Sequence, residues 1–142
     1  MMSPRPIGIL IRGLATGALV LALAACGESN GSVQIVSPAD GETVPAGTVL
    51  IVLEVSGLTI APAGTMDPGT GHHHLMVDTS LPTLGTAIPA VPGIHYHMGA
   101  GQTELEITGL DAGEHMVIAV VGDGLHLPLN PLVVDTVRFT VE

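Results

Sequence analysis

Seven histidines are spread along this chain, and three of them, His72, His73 and His74, are consecutive in GHHHLMV, residues 71–77. His72 and His74 are two residues apart, as are His95 and His97 in IHYHM. In an extended strand, residues i and i+2 share a face, so each H-x-H pair sends two imidazoles to one side. If the two strands are neighbours, facing Cβ atoms lie about 5 Å apart, close enough for both pairs to meet on one ion. Four histidines, or three with a carboxylate or water, suit zinc or cupric ions. His115 and His126 fall in later segments, and His126 follows the turn Gly122-Asp123-Gly124. The expected ligand set is therefore His72, His74, His95 and His97, with His126 as a further contributor. Asp123, Glu104 or Glu106 would orient a ring by accepting its second N–H. Ligation needs neutral imidazole, so affinity is expected to fall as pH drops through about 6.5.

Methionine bears on the choice of metal. Met76, Met98 and Met116 each sit one or two residues from a histidine, and thioethers favour cuprous copper. Met76 and Met116 lie in apolar strand sequence, where methionine ordinarily fills the core; Met98 is open between the two roles. His73 should point away from His72 and His74, towards solvent or a hydrogen bond inside the fold. A purely structural role for the whole cluster, with neutral imidazoles pinning loop carbonyls, is the competing explanation.

The elements that must position these rings are strands. From Val33 the chain runs through VQIV, VLIVLEVSGL, HHHLMV, IHYHM, ELEITGL, HMVIAVVG and VVDTVRFTVE, rich in β-branched residues and separated by D-G, P-A-G and G-D-G clusters. No segment sustains a helical period, and eleven prolines and nineteen glycines punctuate the chain as turns. The expected fold is all-β: an antiparallel, immunoglobulin-like β-sandwich of about seven strands over residues 33–142, with a core of Val, Leu and Ile. Residues 59–70 (TIAPAGTMDPGT) and 79–93 (TSLPTLGTAIPAVPG) form two long connections, and both lead directly into histidines. Loops of that length without structure of their own are often functional.

The first residues read as an address and not as fold. Arg5 and Arg12 precede a short apolar run that closes on Leu23-Ala24-Ala25-Cys26, the pattern of a bacterial lipoprotein signal over residues 1–25. Cys26 is the expected lipidation site, which also explains a single cysteine in an exported chain. Residues 26–32 would be the lipidated cysteine and a flexible tether. The expected location is the cell envelope, facing the periplasm, with Gly27 after the cysteine favouring the outer membrane. Arg138 is the one cation beyond the signal, against thirteen carboxylates. Such a surface repels nucleic acid and anionic headgroups, so the lipid does the anchoring.

The chain resembles DUF4399, a family of exported bacterial proteins of unknown function. The resemblance rests on APAGTMDPGTGHHHLMVDT, IHYHMGAGQTE and GEHMVIAVVGDGLHLPLNP and covers roughly residues 33–142. Its most specific parts are residues 69–75, 101–104 and the H-x-P element at His126-Leu127-Pro128. The chain departs from the family pattern at Leu129, where a second histidine is usual, and at Ala100, where a lysine is usual. The resemblance implies export and a fold rather than an activity.

Three functions compete. The chain is expected to be an envelope lipoprotein that binds copper or zinc without catalysis. The alternative is a β-sandwich module that binds an envelope protein or glycan through its apolar loops. An enzyme ranks last, since the sequence has no G-x-S-x-G elbow, phosphate-binding glycine loop or H-E-x-x-H helix.

Overall fold

A computed structural model describes residues 31–142. The export signal, Cys26 and most of the tether lie outside the described residues. The described chain forms nine strands: β1 Ser32–Ser37, β2 Thr43–Val44, β3 Thr48–Ser56, β4 Thr59–Ile60, β5 Thr70–Val77, β6 His95–Met98, β7 Glu104–Thr108, β8 Gly113–Gly122 and β9 Val134–Val141. It contains no helix among the described residues, so none is long and apolar enough to cross a membrane. The protein is all-β.

The strands divide into two sheets. One is three-stranded, in the order β1-β3-β7; the other runs β2-β9-β8-β5-β4, with β6 also paired to β5. The long pairings are antiparallel, whereas β2–β9 and β4–β5 are parallel contacts of two residue pairs each. Those two short strands account for the excess over the seven expected. Two residues carry no readable alternation, so they emerge only when the chain folds back onto a sheet edge.

Alternation builds the core. β1 and β3 bury every second residue, placing Val33, Ile35, Val49, Ile51 and Leu53 inside. Leu75, Val77, Val117, Val121, Val137 and Phe139 meet them from the larger sheet. The two sheets therefore enclose one apolar layer, assembled almost without aromatic side chains.

β5 breaks the alternation, with residues 71–77 all buried. It is an interior strand, paired to β8 on one side and to β4 and β6 on the other. Leu75 and Val77 face the shared core, while Met76 belongs to a second, smaller apolar cluster with Ile88, Ile118 and Val120 on the outer face. Ile88 comes from the long connection between β5 and β6, which lies over that face and is tied down by Val77 N–H to Ile94 O and Ile88 N–H to His126 O. His72 and His74 share the covered outer face with Met76.

Candidate metal centre

The site is built on the register of three strands. β5 and β6 pair antiparallel with His74 opposite His97, and β5 pairs β8 with His72 opposite Gly122 and His74 opposite Val120. The H-x-H spacing does what strand geometry requires: His72 and His74 project from the same face, and His97 reaches them from the neighbouring strand. His126 arrives from the turn after β8. Asp123 builds that turn, its Oδ1 accepting N–H from Leu125 and Leu127, and His126 N–H donates to Asp123 O.

Four imidazoles converge as a result. All six pairs of ring centroids lie between 4.7 Å and 5.6 Å apart. His72 and His74 face each other through Nε2 at 3.0 Å, and His97 and His126 through Nε2 at 3.2 Å. Imidazoles bound to a tetrahedral ion at about 2.0–2.1 Å hold their nitrogens about 3.3–3.4 Å apart, so the observed approaches are close to that shape. His72, His74 and His97 offer ligand nitrogens all within 4.8 Å of one another, and this group can hold a metal ion. His126 stands at its open side, farthest from His74.

The site has a buried floor and an open mouth. His72 and His74 are 0 % and 2 % exposed, whereas His97 is exposed and His126 half-buried. Burial pushes the His72 ring down to about 4, helped by the neighbouring His126 and His97. Burial likewise pushes His74 down to about 3, with His72, His97 and His126 adding repulsion. His97 is lowered by burial and by His126. The rings of His72, His74 and His97 are therefore neutral at physiological pH, with lone pairs available. Proton competition at the floor begins well below the pH of about 6.5 expected for unperturbed histidine.

Glycines make room for the rings. A Cβ at Gly99 would collide with the His97 imidazole, and one at Gly122 would lie 3.3 Å from His74 Nε2. The His72 Nδ1 atom is buried and has no hydrogen-bond partner among the described residues. The neutral rings of His72 and His74 carry one N–H each, so within that facing pair one nitrogen donates and the other accepts. Burying the His72 and His74 rings is costly unless their lone pairs gain a partner, and a cation supplies one.

Some expected residues fall elsewhere. His95 shares the outer face but sits opposite Met76, and its Nδ1 is engaged with Pro89 O at 2.9 Å. The loop backbone has taken that ring, so His95 is outside the converging group. Glu104 and Glu106 lie on β7 in the other sheet and orient no ring. Asp123 acts on His72 only through its charge, its Oδ1 being committed to the turn. His73 points inward, fully buried, with Nδ1 on Gln102 O at 3.0 Å. Met76 and Met98 are buried in the apolar clusters, and Met116 accepts Arg138 Nη2 at 3.5 Å. His115 is remote, bonded through Nδ1 to Asp78 and Nε2 to Asp111 O.

A two-sheet β protein with a histidine cluster on its outer face is the class that fold and site define. The chain belongs to the DUF4399 family, described as a domain of unknown function, whose model matches residues 51–142. The match begins within β3, later than the residue 33 at which the sequence resemblance begins. Among solved structures, the crystal structure of an engineered protein is similar over 79 % of this chain and 20 % of its own length, at 16 % identity and a TM-score of 0.45. The chain thus spans about a fifth of that structure. No curated protein matches this chain.

Proposed function

We propose that this protein is a non-catalytic binder of a divalent transition metal, copper or zinc, anchored in the cell envelope by a lipid on Cys26. One observation carries the metal reading: His72, His74, His97 and His126 bring their imidazoles together with Nε2 atoms facing at 3.0 Å and 3.2 Å. The other histidines each place one ring nitrogen on a backbone carbonyl: His73 on Gln102, His95 on Pro89 and His115 on Asp111. The four converging rings instead turn their Nε2 atoms to one another, an arrangement that a shared proton or a shared cation satisfies.

An all-imidazole donor set favours zinc and cupric ions over magnesium or calcium, which prefer oxygen. Neutral ligands leave the ion's charge in place, and the net charge of −10 on the chain offsets it at long range. Binding is the reading favoured over catalysis: among the described residues the carboxylate that acts on the cluster is Asp123, and its Oδ1 is committed to the turn. X-ray absorption of the zinc- or copper-loaded chain tests this reading. Imidazole nitrogens as the nearest neighbours support it, whereas an oxygen-only environment, as from scattered surface carboxylates, contradicts it.

A second reading, an interaction module, draws on Leu84 and Leu125, which are 49 % and 61 % exposed on the loops around the site. It extends the first reading if the metal passes to or from another envelope protein.

A further inference from the structure

The loop of residues 61–69 touches the backbone beside both histidines at the mouth of the site. Ala63 N–H donates to Gly99 O at 2.9 Å, two residues after His97, and Gly64 N–H donates to Gly124 O at 3.1 Å, two residues before His126. At Gly124 the approach depends on glycine, since an added Cβ would stand 2.6 Å from Met66 Sδ and closer still to Thr65 O. The loop is thereby held across the two segments that carry the exposed rings, with the Met66 thioether packed on one of them.

Met66 is 61 % exposed, an unfavourable place for a large apolar side chain. Of the methionines among the described residues, Met76 and Met98 are fully buried and Met116 is half-buried. Met66 is therefore the exposed thioether, and its loop is stapled to the mouth of the histidine site. A thioether is a soft, neutral donor that favours monovalent copper and adds little for zinc.

From this we infer that Met66 is a further metal ligand at the mouth, serving with His97 and His126 to hold cuprous copper. The inference rests on the histidine metal centre proposed above and extends it to a second oxidation state of the metal. The buried floor, His72 and His74, offers imidazole alone and suits zinc or cupric ions. The mouth offers two imidazoles and a thioether, a low-coordinate set suited to a cuprous ion. The ligand class is thus a monovalent soft cation, entering from solvent through His97, His126 and Met66.

The test compares Met66→Leu with the parent chain, both carrying Cys26→Ser so that no thiol competes for copper. Leucine keeps the apolar volume and removes only the sulfur. Zinc affinity is measured by calorimetry, and cuprous affinity by competition with a chromogenic cuprous chelator without oxygen. The expected result is a loss of cuprous affinity of about tenfold or more in Met66→Leu, with zinc affinity within about twofold of the parent. Unchanged cuprous affinity in a variant that still binds zinc overturns the role of Met66 and leaves the histidine centre standing. An equal loss for both metals also overturns it, because Met66 would then hold the loop and not the metal. Failure of the parent chain to bind either metal sinks the histidine centre and this inference together.

Discussion

His74 and His97 stand directly opposite each other on the antiparallel strands β5 and β6, their ring centroids 5.1 Å apart. That one register pair joins a fully buried histidine to an exposed one and gives the cluster its floor and its mouth. A slip of one residue would send every second side chain to the other face and dismantle the site. The strand pairing therefore defines the site as much as the histidines do.

The ligand assignment predicts an order among alanine variants. His72→Ala and His74→Ala should each weaken zinc binding by about 100-fold or more, since ligand loss costs at least as much as loss of a residue that orients a ligand. His126→Ala should have a smaller effect, its ring being the farthest from His74 and outside the group of His72, His74 and His97. His95→Ala should bind normally, because its Nδ1 serves Pro89 O. Calorimetric titration of the four variants checks the order, and equal losses at His95 and His74 would contradict the geometry.

The rings' packing predicts that two glycines matter for affinity. Gly99→Ala places a methyl group against the His97 ring, and Gly122→Ala presses on His74 and on Ile88 Cδ1. The Gly99 variant should fold, since the exposed imidazole can swing away, yet bind zinc at least about tenfold more weakly. Circular dichroism alongside titration separates displaced ligand from lost fold.

Acid should destabilise the metal-free chain through the floor histidines. Both are neutral when folded, at about 4 for His72 and about 3 for His74, while the unfolded chain takes up protons near the ordinary value of about 6.5. The unfolded state thus binds more protons from about pH 6.5 down to about pH 3, where the folded chain protonates His74 too, and stability falls across that window. The loss should be on the order of a few kcal/mol and should shrink in His74→Leu. Chemical denaturation at a series of pH values measures it.

His115 should act in the opposite sense. The carbonyl of Asp111 and the carboxylate of Asp78, 2.7 Å away, raise it above its ordinary value. Its stabilising contribution is present in full below about pH 6.5 and is lost as pH rises through the raised value. Asp78→Asn should reduce this pH dependence, the Asp111 carbonyl keeping its share, while leaving zinc affinity unchanged, a comparison that denaturation and titration make together.

Much of this was legible in the sequence because two periodicities carry it. The absence of a helical period and the turn residues foretold an all-β chain, and the i, i+2 spacing foretold that His72 joins His74. The misplacement of His95 was not legible, because its fate depends on which residue of β5 it faces and on a carbonyl from the loop before it. Spacing put His95 and His97 on one face, but only the register shows that His97 meets His74 while His95 meets Met76. Met66 and Gly99 gave no local signal either. Met66 is distant in sequence from the turn it packs against, and a glycine that admits an imidazole looks like any turn glycine until the ring is in place.

The most direct test of the account is calorimetric titration of the purified full chain with zinc and cupric ions near neutral pH, beside a His74→Ala/His97→Ala double variant. The account predicts tight one-to-one binding in the parent chain, lost in the double variant while the strand content of both is the same. Binding no tighter than diffuse adsorption to an acidic surface, or tight binding that survives loss of both histidines, would contradict it.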